Sequence, residues 1–249
     1  MEIRILGNGG AINDGLPYNS FMIDEFFLAE TPPDIMASLF REKTDLSKLQ
    51  IIYISHYHGD HFFGLPFLIL RLFYNSSGTP LNYMIRIMGP EGIKSRVNEI
   101  CTLAWGDGHP VHDWIENNFI FNELVHGNKY DINSGTYLQS FSMFHLVETY
   151  GFSFYKNDRL LFSYFADTVW NDELLVQIKL FPEIIVVDLN GEPSEIVKIH
   201  MSEDDIIEKA MPYSEGRITF YGTHLKTQKK SELKNIRYFY PGDIIVSGI

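Results

Sequence analysis

Leu49-Gln50-Ile51-Ile52-Tyr53-Ile54-Ser55-His56-Tyr57-His58-Gly59-Asp60-His61 is the stretch that decides how this chain is read. An apolar run of strand length ends in three imidazoles and a carboxylate packed into positions 56–61. Alternate residues of an extended segment point the same way, so His56 and His58 can converge on one ion. Asp60 and His61, where the chain turns toward the next helix, would face a second ion beside it. Imidazole and carboxylate donors without thiolate suit zinc, with manganese as the alternative. An isolated His-x-His pair occurs by chance on solvated loops. A full His-x-His-x-Asp-His block leaving a strand is far more restrictive.

Working outward, 249 residues with 45% hydrophobic content can bury a sizeable core. No Ser/Gly/Pro-rich linker or internal repeat divides the chain, so one domain spanning residues 1–249 is expected. Strand-like segments at 4–6, 21–29, 51–55, 84–88, 137–144, 160–165, 184–188 and 218–221 alternate with helix-like ones. Asp34 is placed to cap a helix over 35–41, and Asn171-Asp172 one over 173–179. Tyr240-Pro241-Gly242-Asp243 reads as a turn before a closing strand. The single Cys101 permits no intrachain disulfide, which fits a reducing compartment. The N-terminus reads as a strand rather than a signal peptide, and no run of roughly 18 apolar residues is present. A cytoplasmic protein without membrane association is expected.

The metal block resembles the signature of the metallo-β-lactamase fold, an α/β architecture built as a four-layer αββα sandwich. That resemblance implies further ligands at later strand ends, and matching residues occur in order. His145, in Ser142-Met143-Phe144-His145-Leu146, looks like the third histidine of the first ion. Asp167, in Ser163-Tyr164-Phe165-Ala166-Asp167-Thr168, resembles the carboxylate that bridges both ions. His224, in Ile218-Thr219-Phe220-Tyr221-Gly222-Thr223-His224, resembles the last ligand of the second. Gly64-Leu65-Pro66, Ile87-Met88-Gly89-Pro90-Glu91-Gly92-Ile93 and His200-Met201-Ser202 narrow the resemblance to the ribonuclease Z branch. There a histidine at the position of His200 donates a proton instead of binding metal. Leu28-Ala29-Glu30-Thr31-Pro32-Pro33-Asp34 departs from the Asp-Cys-Gly or Asp-x-Gly turn of many members. This difference is expected to leave the ligands untouched and to reshape only the nearby pocket wall.

Charge bears on the substrate. With 20 Lys and Arg against 32 Asp and Glu, the net charge is −12, which disfavours attraction to a polyanion. The densest basic cluster, Lys226-Thr227-Gln228-Lys229-Lys230, is short and reads as a solvated turn. Ribonuclease Z carries a long RNA-gripping arm between the stations matched by His145 and Asp167, whereas here only 21 residues separate them, holding two short strands and a turn at Lys156-Asn157-Asp158. No transfer RNA partner is therefore expected. Within the branch the chain looks most like the anti-Pycsar cyclic-nucleotide phosphodiesterases. That resemblance implies hydrolysis of 3′,5′-cyclic CMP and UMP, and also of cyclic AMP and GMP, to 5′-monophosphates. Asp60 would orient the attacking water while serving the second ion, and His200 would protonate the leaving 3′ oxygen.

The remaining signals are weaker. His109, His112 and His126 read as surface or turn residues. Tyr18, Phe62, Phe63 and Trp170 are candidates for base stacking, with none assigned. The segment 62–74 is apolar on nearly every side, so it is expected either inside the protein or against a second subunit. The ribonuclease Z resemblance implies a homodimer, in which one subunit's loop can complete its neighbour's pocket. A nuclease acting on RNA ends, a lactonase or thioesterase, and a nucleotide-sequestering binder are the competing functions.

Overall fold

Strands that bury every side chain demand a sheet covered on both faces, and several strands of this chain are of that kind. The computed structural model describes residues 1–192 and 198–247. In the first half run β1 (Glu2–Gly7), β2 (Ser20–Ile23), β3 (Phe27–Ala29), β4 (Ile51–Tyr53), β5 (Ile85–Gly89) and β6 (Phe119–Glu123). They are followed by β7 (Lys129–Asn133), β8 (Thr136–Met143), β9 (Thr149–Lys156), β10 (Arg159–Phe165), β11 (Ile184–Asp188), β12 (Thr219–Thr223), β13 (Ile236–Tyr238) and β14 (Ile244–Val246). Two seven-stranded sheets result, in the orders β14-β1-β2-β3-β4-β5-β6 and β13-β12-β11-β10-β9-β8-β7. Strands β3 to β6 and β10 to β13 pair in parallel, and the others antiparallel.

The helices are α1 (Ile35–Arg41), α2 (Gly59–Phe62), α3 (Leu65–Asn75), α4 (Ile93–Trp105), α5 (Val111–Asn118) and α6 (Asp172–Ile178). A last helical stretch starts at Glu203–Asp205, passes through a π-helical turn at Ile206–Ala210 and ends at Met211–Ser214. Three cores separate the layers. Between the sheets, Phe21, Phe27 and Tyr53 meet Phe152, Phe162 and Tyr164. Edge-on contacts are made there, with Tyr53 and Phe152 4.7 Å apart and Phe21 and Tyr164 5.1 Å apart. Outside the first sheet Ile52 and Ile87 pack with Leu65, Leu68 and Val97. Outside the second, Ile185 and Phe220 pack with Leu174, Ile178 and Ile206. The expected αββα sandwich is the observed one.

Local differences have physical causes. The apolar run 21–29 is two strands, because Asp24 and Glu25 turn the chain with φ of 44° and 60° and pair Phe21 with Ala29. Asp34 stands at the start of α1 but accepts the backbone N–H of Tyr18 at 3.2 Å instead of capping the helix. Asn171 caps α6 as expected, accepting from Glu173 and Leu174. The closing strand β14 pairs with β1. Strands β6, β7 and β13 were not anticipated. Helix α3 buries Leu65, Leu68, Ile69 and Leu72 on one face but exposes Phe67 and Tyr74, so it is not an interior helix. No helix among the described residues is long and apolar enough to cross a membrane.

Candidate metal centre

Ligands collect where strands end at their carboxyl side, the position at which open α/β sheets generally bind. The chain leaving β4 carries His56 and His58, and the first turn of α2 presents Asp60 and His61. His145 follows β8, Asp167 follows β10 and His224 follows β12. His56, His58, His145 and Asp167 form one group whose donor atoms all lie within 4.8 Å of one another, and Asp60, His61 and His224 form another. Asp167 stands between them. Its Oδ2 is 3.9 Å from Nε2 of both His56 and His145 and 3.2 Å from Nε2 of His224, while Oδ1 is 3.4 Å from His61 Nε2. His58 Nδ1 and His145 Nε2 are 3.4 Å apart, and Asp60 Oδ2 lies 3.1 Å from His224 Nε2 and 3.4 Å from His61 Nε2. Donors bonded to one tetrahedral ion at about 2.0–2.2 Å sit roughly 3.3–3.6 Å apart, so both groups have suitable dimensions.

The outward nitrogens support the same reading. Ser55 Oγ is 2.9 Å from His56 Nδ1, Glu30 Oε1 is 3.5 Å from His61 Nδ1 and Asp188 Oδ1 is 3.6 Å from His224 Nδ1. Partners of this kind fix the tautomer of metal-binding histidines and aim the other nitrogen inward. His56 Nε2, both ring nitrogens of His61, Nδ1 of His145 and His224, and Asp167 Oδ1 are buried with no hydrogen-bond partner, so Glu30 and Asp188 act on His61 and His224 as nearby charges, and buried polar atoms rarely tolerate such a state. A cation fits that donor set. His224 itself adopts φ +61°, a conformation costly for a residue with a Cβ. Gly10 lies so close that a Cβ there would come within 2.8 Å of the His224 carbonyl oxygen.

Burial disfavours every charge in this cluster, and the balance differs by position. It holds His56 well below the ordinary histidine range and lowers His58 and His145. At His224 burial is overcome by Asp167, Asp188 and Asp60, which raise the pKa to about 10; Asp167 and Glu30 likewise raise His61. The same histidines hold Asp167 and Asp60 far below the usual carboxylate range despite their burial. The carboxylates thus favour a proton on His61 and on His224. A divalent cation would displace those protons.

His200 differs from the other histidines. Its Nδ1 is 2.5 Å from Asp188 Oδ2 and 4.0 Å from Asp167 Oδ2. The shorter distance is a hydrogen bond, and Asp188 outweighs burial to raise the His200 pKa. Asp188 is held by the backbone N–H groups of Asn190 at 3.0 Å and Thr168 at 3.4 Å. Gly191 permits this approach, because a Cβ there would come within 2.5 Å of the His200 carbonyl oxygen. The sequence reading missed Asp188 as a functional residue, since one Asp at a strand end has no spacing signature. It also missed Glu30. Far from leaving the ligands untouched, the stretch 28–34 places a fully buried Glu30 against His61.

His58, Asp60, His145, Asp167, His224 and His200 line one cavity of about 580 Å³, walled by Ala11, Ile12, Leu146 and Ile199, with Asn190, Glu192 and Lys226 at its polar side. Tyr18, Phe62, Phe63 and Trp170 do not line it. His109 accepts the N–H of Val111 and His112 donates to Gly106 O, while His126 accepts the N–H of Ser142. None of these three belongs to the cluster.

Comparison with known proteins agrees with this geometry. The ribonuclease Z of Methanosarcina mazei is 24% identical over 226 residues, covering 89% of this chain and 67% of that protein. That of Picrophilus torridus is 28% identical over 136 residues, covering 53% of this chain and 40% of that protein. The chain thus spans between 40% and 67% of the length of the ribonucleases Z it matches. The crystal structure of the short form of human tRNase Z superposes with a TM-score of 0.77 at 18% identity, over 100% of both chains. These likenesses establish the metallo-β-lactamase fold seen in the sandwich and its strand-end histidines. The family model for Anti-Pycsar protein Apyc1 matches residues 1–233, and the chain belongs to that family.

Proposed function

We propose that the chain is a two-metal phosphodiesterase that hydrolyses 3′,5′-cyclic CMP, UMP, AMP and GMP to 5′-monophosphates, acting in the cytoplasm against cyclic-nucleotide immune signalling. The observation that carries this reading is His200, which lines the same cavity as His58, His145, His224, Asp60 and Asp167 and is held from behind by the buried Asp188. An ester without phosphorus has less use for such a proton donor. His56, His58, His145 and Asp167 would hold one ion and Asp60, His61, His224 and Asp167 the other, zinc in both, with manganese able to substitute. A pair of divalent ions supplies a nucleophile at neutral pH and neutralises phosphate charge.

The chain's own residues do the rest. Asp188 accepts the Nδ1–H of His200, which leaves Nε2–H to protonate the departing oxygen. Water, oriented by Asp60, forms a P–O bond through its oxygen and releases one proton to solvent, while the P–O3′ bond breaks and O3′ takes the His200 proton. Lys226 offers its ammonium to the phosphate, and Ile12, Leu146 and Ile199 give the base an apolar wall. Residues 1–249 are read as one hydrolase domain acting as a homodimer.

A ribonuclease Z-like nuclease is the second reading, favoured by the named relatives. Against it stand the charge of −12 and the short interval between His145 and Asp167, which holds only the β9–β10 hairpin. The test is a panel of cyclic mononucleotides, cyclic dinucleotides, short RNA and a lactone incubated with zinc-loaded protein. Cyclic mononucleotides should disappear fastest. Faster loss of RNA would establish the nuclease, and binding without turnover would establish a sequestering protein.

A further inference from the structure

We infer that the two ion positions are unequal, and that Glu30 makes the Asp60–His61–His224 position the tighter one. The inference rests on the two-ion reading above. Both positions share Asp167, so the difference lies in their other donors. The first adds three imidazoles; among the described residues a neutral hydroxyl, Ser55 Oγ, stands behind His56, and no carboxylate other than the shared Asp167 makes an ion pair with His56, His58 or His145. The second adds a carboxylate, Asp60, and each of its imidazoles has another carboxylate at ion-pair distance behind it, Glu30 Oε1 3.5 Å from His61 Nδ1 and Asp188 Oδ1 3.6 Å from His224 Nδ1, charges that act there without a hydrogen bond. Negative charge at this range acts strongly on a cation in a buried site, and a carboxylate behind an imidazole raises its basicity as a ligand.

Of those two outer carboxylates, Asp188 is already engaged by His200 at 2.5 Å. Glu30 is the one dedicated to the ion. It is fully buried, and among the described residues its ion pair is with His61, with no Lys or Arg against it. Burying a carboxylate this deeply is sustained only when positive charge and donors compensate it. The donors are Tyr164 Oη at 3.0 Å and the Ser55 N–H at 3.2 Å. Tyr164 Oη in turn accepts from Asn19 Nδ2 at 2.9 Å, and Asn19 Oδ1 accepts from Thr223 Oγ1 at 2.7 Å. One buried network therefore extends from Glu30, beside His61, to Thr223, the residue before His224, with Glu30 as its charge.

The test is metal retention. Zinc-loaded wild type, Glu30→Gln and Tyr164→Phe are dialysed against graded chelator, and zinc per protein is measured by elemental analysis, with circular dichroism to check folding. Wild type should lose its ions in two separate steps, with the tighter ion retained by His145→Ala and lost in His224→Ala. Glu30→Gln should weaken the tighter step by roughly 10–100-fold and leave the other in place. Tyr164→Phe, which keeps the carboxylate and removes one donor to it, should shift the same step by less. A single wild-type step, or a Glu30→Gln profile equal to wild type, overturns the inference; so does a variant that loosens both steps together, which marks a general structural role. Should Glu30→Gln not fold, an unshifted Tyr164→Phe overturns it. Wild type holding fewer than two zinc ions before dialysis instead refutes the two-ion reading.

Discussion

At the scale of single residues, His200 and the ligands should separate cleanly. His200→Ala should keep its zinc and lose turnover by on the order of 10²–10⁴, the usual contribution of a positioned proton donor. Elemental analysis beside a kcat measurement checks both halves, and unchanged turnover would remove His200 from the chemistry. His56→Ala should empty the first position, because its Nε2 has no other partner. Cys101 provides a contrast. It is buried in the core beside α3 and α5, and burial pushes its thiol up to about 12. It should resist a thiol reagent at pH 8 until the protein unfolds; rapid labelling of the native protein would contradict that burial.

At the scale of elements, the helix that follows His200 depends on its first turn. Ser202 accepts the N–H of Asp205, and the Asp205 carboxylate accepts the Ser202 N–H at 2.9 Å and Lys209 Nζ at 2.5 Å. Losing such a cap costs about 0.5–2 kcal/mol. Burial raises the Asp205 pKa, but the bonds from Lys209 and Ser202 more than offset it, and the folded-state value lies below the ordinary 3.8. A carboxylate with a depressed pKa stabilises the fold above its unfolded value, and that contribution is lost as pH falls through the folded value. Asp205→Asn should therefore lower Tm fully at pH 7, with the gap to wild type closing below about 3.8. A pH-independent gap would show that the carboxylate charge has no part in it.

At the scale of the whole molecule, Phe63 (56%) at the end of α2, Phe67 (51%) on α3 and Leu103 (82%) on α4 are exposed. Large apolar side chains gathered at one surface mark an interaction face. The proposed homodimer should use it, so light scattering should give twice 28.8 kDa for the wild type. Phe67→Glu combined with Leu103→Glu should yield the monomer mass, and a wild-type mass of 28.8 kDa excludes the dimer. Metal couples to the same global stability. Zinc at 100 times its Kd should add about 2.7 kcal/mol, seen as a rise in Tm that chelation reverses.

Much of the fold and the site was legible in the chain itself. Period-two and all-apolar runs marked the long strands, and the block His56 to His61 carries its own spacing because its donors are sequence neighbours. His145, Asp167 and His224 were reached through resemblance, each at the end of a readable strand. Glu30 and Asp188 were not reached, because each is an ordinary acidic residue until folding buries it. Their roles depend on distances of 3.5 Å to His61 and 2.5 Å to His200, residues 31 and 12 positions away. The sequence by itself determined the donor block from His56 to His61 and most of the strands that frame it, since both follow from local chemistry and periodicity. Only the tertiary structure decided which carboxylates stand behind those ligands, because dielectric, burial and approach are properties of the packed sheets.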